Sequence, residues 1–191
     1  MRLFVALEIP AAVRDNLAVF LSDMHKLPDQ LEEKRVRWVR PENLHVTLKF
    51  IGEVADAKLD GIRAALSTVH SDASLDLRVH GLGFFPDEKR PTVLWTGFDA
   101  STNLPTLAGD IERALTPQGI EKEKRAFVAH LTLARFAAPG PHGQLLAAIR
   151  ENGERDFGSF RAREFHLIQS TLKPAGAEYT TLQSFRFSAE A

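Results

Sequence analysis

The feature that most constrains the fold of this chain is an order of strand and helix patterns that occurs twice. In the first copy, apolar residues alternate along 3–9 as in a strand, and then recur at helical spacing over 13–24. In the second copy, a strand-like segment at 93–98 precedes a helical pattern over 104–115. The offset between the copies is roughly 85 to 90 residues, which predicts two similar lobes.

The way the two copies are joined favours a single domain. No segment rich in Gly, Ser or Pro is long enough to separate two independent units. We therefore predict one α+β domain over 1–191, built from two pseudo-symmetric lobes at roughly 1–90 and 91–191.

Composition narrows the chemistry that is open to the chain. With no cysteine, the sequence excludes disulfides, Cys-ligated zinc, iron–sulfur clusters and thiol nucleophiles. A nucleophile must then be a hydroxyl, a carboxylate, an amine or water. The 24 Lys and Arg residues balance 25 Asp and Glu residues, which argues against non-specific binding to long duplexes but leaves a small basic site open.

The sequence carries no sign of a membrane or a secretory route. No stretch approaches the roughly 18 consecutive apolar residues of a membrane span. Residues 1–9 also lack the long apolar segment of a signal peptide. We therefore expect a cytoplasmic protein that does not bind membranes.

The same four-residue motif lies inside a predicted strand of each copy: His45-Val46-Thr47-Leu48 and His130-Leu131-Thr132-Leu133. Side chains alternate along a strand, so each His shares a face with its Thr, while the apolar residues point into the core. One such motif alone is weak evidence for a site, because a sheet His bonded to neighbouring backbone also explains it. A pair at equivalent places of an internal repeat is far more specific.

Two imidazoles and two hydroxyls on one surface suit displacement at phosphorus. One His can remove a proton from water while the other donates a proton to the departing oxygen on the opposite side. Thr hydroxyls can donate hydrogen bonds to the phosphate oxygens. We therefore expect the phosphorus atom near the pseudo-dyad, between His45 and His130. Spacing alone does not say which His is the acid.

Two cations lie next to the motifs and are candidate phosphate ligands. Strict alternation places Lys49 on the His45 face. It places Arg135 opposite His130, so Arg135 reaches the site only through a β-bulge or at the strand end. No group of residues has the spacing of metal ligands.

The motifs and their surroundings resemble the 2H phosphoesterase superfamily, and within it the RNA 2′,3′-cyclic phosphodiesterase family, also called the 2′-5′ RNA ligase family. The resemblance covers nearly the whole chain. Besides the second motif with Arg135, it rests on three segments, at 2–7, 37–52 and 170–179.

The resemblance implies a fold and a reaction. The fold is a set of antiparallel sheets from two lobes around a central cleft, with helices outside. The reaction is hydrolysis of an RNA 2′,3′-cyclic phosphate end to a 2′-phosphomonoester without metal or cofactor. His45 would be the proton donor and His130 the proton acceptor, while Thr47 and Thr132 would hold the phosphate. The reverse reaction, a 2′-5′ joining of tRNA halves, is also implied, and we expect a monomer.

Several alternatives stay open on the sequence. The substrate could instead be a cyclic phosphate on a small nucleotide or an ADP-ribose-like molecule, or the chain could bind RNA ends without turnover. Some aromatic residues either stack on a base or belong to the core: Trp38, Phe50 and Phe136. A basic stripe is either an RNA track or a solvated surface: Lys34, Arg35, Arg37 and Arg40.

Overall fold

The computed structural model describes residues 1–27, 36–70, 74–99, 103–137, 143–174 and 176–187, so Lys34 and Arg35 of the basic stripe lie outside it. In that part of the chain, the strands are β1 Arg2–Glu8, β2 Val36–Trp38, β3 His45–Glu53, β4 Leu75–Phe85, β5 Val93–Phe98, β6 His130–Phe136, β7 Asp156–Ala162, β8 Glu164–Lys173 and β9 Gly176–Arg186. The helices are α1 Ala11–His25, α2 Leu59–Leu66, α3 Leu104–Leu115 and α4 Gly143–Glu151.

The strands form one sheet in the order β7-β4-β5-β6-β3-β1-β8-β9, and β2 pairs with β6 beside this path. All of its pairs are antiparallel. The two motif strands, β3 and β6, are central neighbours and meet at the pair Val46 and Leu131. A pseudo-dyad passes through this pair, because β1 and β8 flank β3 in the way that β5 and β4 flank β6. The α+β class and the antiparallel pairing predicted from the sequence are confirmed.

The two halves of the sheet do not coincide with the two halves of the chain. Strand β4, from the first copy, pairs with β5 of the second copy. Strands β8 and β9, from the end of the chain, extend the half that contains β1 and β3. The predicted division near residue 90 is therefore not the division of the sheet. Hydrophobic periodicity marks where a strand lies in the sequence, but it does not specify the partner strand.

The residue pattern of 160–170 predicts a single strand, but the segment is divided between two strands. Its first residues belong to β7, which pairs with β4 at one edge of the sheet, and the rest belong to β8, which pairs with β1 near the other edge. Only Arg163 separates β7 from β8. No Gly or Pro marks this boundary, so nothing in the residue pattern signals that the chain changes partner here.

One face of the central strands forms the core. Val46, Leu48, Leu131 and Leu133 are buried, as their place in the motifs predicts. The helices contribute their apolar stripes to the same core, with Val13, Leu17, Phe20, Leu21 and Met24 from α1 and Leu104, Leu107, Ala108, Ile111 and Leu115 from α3. The His and Thr side chains of both motifs lie on the opposite face of the sheet and are partly exposed. None of the helices in the described part of the chain is long and apolar enough to cross a membrane.

Leu131→Ala should strongly destabilise the protein, because Leu131 is fully buried at the pair that joins the two halves. A buried Leu→Ala change costs about 2–5 kcal/mol of unfolding free energy. The matched control is Leu172→Ala, at a leucine that is 71% exposed, where a change within about 0.5 kcal/mol is expected. Urea unfolding followed by circular dichroism measures both, and equal losses for the two variants would contradict this description of the core.

Candidate active site

Each motif strand contains a β-bulge at the residue that follows the motif threonine. In β3, Thr47 pairs with Ala6 and Lys49 pairs with Val5, so Leu48 is an extra residue in the ladder. In β6, the same irregularity falls at Leu133. A bulge reverses the alternation of the side chains that follow it. The two bulges therefore decide which residues join the histidines on the site face.

In β3 the bulge turns Lys49 away from the His45 face, so the predicted position of Lys49 is wrong. Lys49 is only 6% exposed. Its Nζ donates to the Glu112 carboxylate at 3.3 Å and to the Glu121 carbonyl oxygen at 2.7 Å, on the side packed by α3. Strict alternation failed here because a bulge leaves no clear mark in the residue pattern. Lys49 is therefore not a phosphate ligand candidate, and the exposed Phe50 takes its place on the site face.

In β6 the bulge has the opposite consequence for charge. Ala134 turns into the core, and Arg135 becomes an exposed residue on the His130 face. Strict alternation would place Arg135 opposite His130, so Arg135 needs a β-bulge of this kind to reach the site. The positive charge of Arg135 contributes to lowering the pKa values of both His45 and His130, so it acts on the two imidazoles together.

The two histidines are held by the same hydrogen bond. His45 Nδ1 lies 2.7 Å from the carbonyl oxygen of Asn43, and His130 Nδ1 lies 2.7 Å from the carbonyl oxygen of Val128. A carbonyl oxygen only accepts, so in each ring the Nδ1–H donates. Each Nε2 is then left to exchange a proton with a substrate. It accepts a proton when the ring is neutral and donates one when the ring is charged.

The register places the two motifs in a reciprocal arrangement. Val46 and Leu131 are the one antiparallel pair between β3 and β6 in the described residues, and each lies between the His and the Thr of its motif. Because the strands run in opposite directions, His45 lies on the same side of this pair as Thr132, and Thr47 lies on the same side as His130. This arrangement can surround a tetrahedral anion with two proton carriers and two hydrogen-bond donors.

Burial lowers the pKa of both imidazoles. Desolvation is the main cause for His45, and the positive charges of Arg135 and His130 lower it further, against the hydrogen bond to Asn43, which raises it. For His130, desolvation is again the main cause, with Arg135 adding to it and the bond to Val128 opposing it. Both rings therefore favour the neutral form at neutral pH. A bound phosphate anion favours the charged form and would raise both pKa values.

Aromatic rings pack around the histidines, at positions that were not predicted from the sequence. The His45 ring lies 4.8 Å from the Phe4 ring and 5.2 Å from the Tyr179 ring, measured between centroids. The His130 ring lies 5.0 Å from the Phe85 ring. For Phe4 a signal was available, because it falls on the face of the β1 pattern that points away from the main core. No local pattern marks Phe85 or Tyr179, since their contacts arise from strand pairing.

Of the three aromatics considered from the sequence, only one reaches the site face. Phe50 is 55% exposed and lies 6.3 Å from Phe4. Phe136 is buried in the core, and Trp38 packs against His25. Phe50 is therefore the one of these three that can contact a ligand held beside His45.

The segment that positions His45 is itself tied to the β8–β9 hairpin. Asn43, whose carbonyl oxygen binds His45, donates its side-chain amide to the carbonyl oxygen of Ala177 at 2.9 Å. Tyr179 lies two residues further along the same strand. One hairpin therefore fixes both the hydrogen-bond acceptor and an aromatic wall of the His45 ring. Within the described residues, no group of three or more His, Asp or Glu side chains could hold a metal ion.

An α+β fold whose antiparallel sheet carries two symmetry-related His-x-Thr strands on one face is typical of two-histidine phosphoesterases. The family model for LigT-like phosphoesterases matches this chain over residues 7–95 and 99–179. The chain belongs to the LigT-like phosphoesterase family, and the resemblance found in the sequence is confirmed.

Curated relatives share most of the chain. A protein of Archaeoglobus fulgidus named RNA 2′,3′-cyclic phosphodiesterase is 34% identical over 185 residues, covering 97% of this chain and 99% of its own. A protein of the same name from Methanocaldococcus jannaschii is 32% identical, with 97% and 100% covered.

Solved structures share the fold. A crystal structure of a Thermus thermophilus protein has a TM-score of 0.80 and 29% identity, with both chains covered completely. LigT of Escherichia coli in complex with 3′-AMP has a TM-score of 0.76 and 24% identity, with 98% of each chain covered. The similarity of this chain to LigT of Escherichia coli is a similarity of fold.

The lowered pKa values predict an acidic optimum for any acid–base reaction at this site. The free protein needs one charged and one neutral imidazole. Because both pKa values lie below the ordinary His value, the charged form is lost as the pH rises, so kcat/KM for a cyclic phosphate should fall about tenfold per pH unit above neutrality. Arg135→Gln should move this fall to higher pH, since it removes a charge that lowers both pKa values. A pH–rate series measures both effects. An alkaline optimum of kcat/KM would contradict this electrostatic description.

Proposed function

We propose that this protein hydrolyses 2′,3′-cyclic phosphate ends of RNA to 2′-phosphomonoesters. The observation that carries the proposal is the pair of histidines, each bonded through Nδ1 to the carbonyl oxygen two residues before it, with Nε2 left for substrate. The relatives named RNA 2′,3′-cyclic phosphodiesterase, at 31–34% identity over nearly the whole chain, support the substrate class.

The proposed reaction is an in-line displacement at phosphorus. His130 Nε2 takes a proton from water as the water oxygen forms a bond to phosphorus. The bond from phosphorus to the 3′ oxygen breaks, and charged His45 donates its Nε2 proton to that oxygen. The bond to the 2′ oxygen is kept, so the product carries a 2′-phosphate. The assignment of acid and base comes from the family resemblance, because the two imidazoles have nearly the same surroundings.

The remaining groups stabilise the charge that develops on the phosphate. The hydroxyls of Thr47 and Thr132 donate hydrogen bonds to the non-bridging oxygens, and the guanidinium of Arg135 balances their charge. The exposure of Arg135 and its lowering of the pKa of both histidines support this role. The reverse joining of RNA halves would use the same imidazoles with roles exchanged. That activity, the cytoplasmic location and the monomeric state stay predictions.

Replacing either histidine should remove nearly all turnover. A general acid or base contributes about 10²–10⁴-fold, so His45→Ala and His130→Ala should each lose at least that much in kcat on a 2′,3′-cyclic-phosphate oligonucleotide. His70→Ala is the matched control, because His70 is exposed and lies outside the two motif strands. Circular dichroism should show all three variants folded. Near-normal rates in either motif variant would rule out the two-histidine mechanism.

A modified substrate separates the two roles. A cyclic phosphate with sulfur in place of the 3′ oxygen has a leaving group that needs no proton. His45→Ala should regain most of its rate on this substrate, since only the acid is dispensable, while His130→Ala should stay inactive. Recovery by His130→Ala instead would reverse the assignment.

Chelator treatment tests the proposed independence from metal. The two imidazoles account for both proton transfers, so incubation with excess EDTA, on the order of a thousandfold over protein, should leave kcat/KM unchanged. Activity measured before and after dialysis against the chelator checks this. Loss of activity that returns with added Mg²⁺, Mn²⁺ or Zn²⁺ would contradict it.

A further inference from the structure

The two halves of the sheet differ in what lies beside the motif strand after its bulge. Beside β6 lies β2, whose residues Val36, Arg37 and Trp38 pair with Phe136, Arg135 and Ala134. Val36 stands nine residues before His45, and the residue nine before His130 is Glu121. The segment 121–123 is therefore the counterpart of β2, yet among the described residues it forms no strand and does not pair with β3.

The side chains at one equivalent position also differ between the two halves. Lys49 and Ala134 each stand four residues after their histidine, and both are buried. Beside Ala134, β2 pairs with β6 through the backbone. On the other side, the buried Lys49 Nζ reaches the Glu121 carbonyl oxygen at 2.7 Å and the Glu112 carboxylate at 3.3 Å. The segment is thus attached to β3 through a side chain instead of a backbone ladder.

The space left by the missing pair is a cavity of about 500 Å³ that begins beside Phe50. This volume is in the range of small-ligand sites. The walls are the second half of β3 with the residues that follow it, Lys58, and the segment 119–124. Phe50 lies 6.3 Å from Phe4, which in turn lies 4.8 Å from His45. Phe50 therefore lines the cavity and also neighbours Phe4, the ring that packs against His45.

The cavity carries exposed cations. Lys122 and Lys124 are exposed and form no ion pair with any residue in the described part of the chain, and Lys58 donates to the carbonyl oxygen of Gln118 at 3.3 Å. Three carboxylates line the cavity, and two of them already have a hydrogen-bonding or ionic partner. Glu53 lies 3.8 Å from the N-terminal amine, and Glu123 accepts the backbone N–H of Lys124 at 3.1 Å. Glu121 is the third.

We infer that this cavity binds the RNA chain on the 5′ side of the reactive end, with Phe50 stacking on a base and the Lys122 and Lys124 ammoniums on a phosphodiester. The inference rests on the proposed function, in which the ribose that carries the departing 3′ oxygen lies next to His45. The chain leading to that ribose must then leave the site on the same side. Aromatic faces and flexible ammoniums are the usual receptors for single-stranded RNA without sequence preference.

The test compares a short and a long substrate in the intact protein. The variant Lys122→Ala/Lys124→Ala should raise KM about tenfold for a pentanucleotide ending in a 2′,3′-cyclic phosphate at low salt. It should leave KM for cytidine 2′,3′-cyclic phosphate unchanged, because that substrate has no phosphodiester to reach the cavity. The matched control, Arg163→Ala/Arg186→Ala, removes two positive charges from exposed residues beyond the other end of β3 and should change neither KM.

Salt dependence gives a second measure of the same contacts. Each phosphate contact to a single strand contributes about 0.7 to the slope of log affinity against log salt concentration. Because both ammoniums contact one phosphodiester, the slope of log kcat/KM for the pentanucleotide should be shallower by up to about 0.7 in the Lys122→Ala/Lys124→Ala variant. Equal effects of this variant on the two substrates, or an effect on neither, would overturn the inference.

A binding measurement tests this inference independently of the proposed reaction. Fluorescence anisotropy with a labelled pentanucleotide ending in a 2′-phosphate measures affinity without turnover. Weaker binding by the double lysine variant, with no change in the control, supports the cavity even if the protein hydrolyses neither substrate. Unchanged binding by the lysine variant overturns it, whatever the activity.

Discussion

The antiparallel pair of Val46 and Leu131 is the contact on which the rest of the structure depends. Both side chains are fully buried, so the register of β3 and β6 is fixed by the core beneath them. A slip of one residue in either strand would turn its His and Thr into the core. The same pair lies on the pseudo-dyad, and it therefore brings two distant parts of the sequence into one reciprocal site.

The bulges after the motifs make two similar halves chemically different. In one half, Arg135 lies exposed on the site face, and β2 pairs with β6 beside it. The other half presents Phe50 at the edge of a cavity, and its Lys49 points inward and donates to Glu112. The exposed cation Arg135 and the exposed aromatic ring of Phe50 thus lie on opposite sides of the pseudo-dyad. This asymmetry gives the proposed substrate a direction in a site whose histidines are nearly equivalent.

The sequence predicts the features that follow from periodicity and repetition. The α+β class, the strands that carry His45 and His130, and the buried face of each motif all follow from alternation within short segments. Lys49 was misplaced because the bulge at Leu48 reverses that alternation without a Gly or Pro to mark it. The lobe boundary and the aromatic neighbours Phe85 and Tyr179 depend on which strands pair across the sheet. Local patterns do not contain that information.

In the proposed reaction, water activated by His130 opens the cyclic phosphate on its 3′ side. The most direct measurement is hydrolysis of a 2′,3′-cyclic-phosphate oligonucleotide in ¹⁸O-labelled water, with the product identified by phosphorus NMR and mass spectrometry. We expect a single product with the phosphate on the 2′ oxygen and one ¹⁸O atom bound to phosphorus. A 3′-phosphate product, or a product without the label, would contradict it.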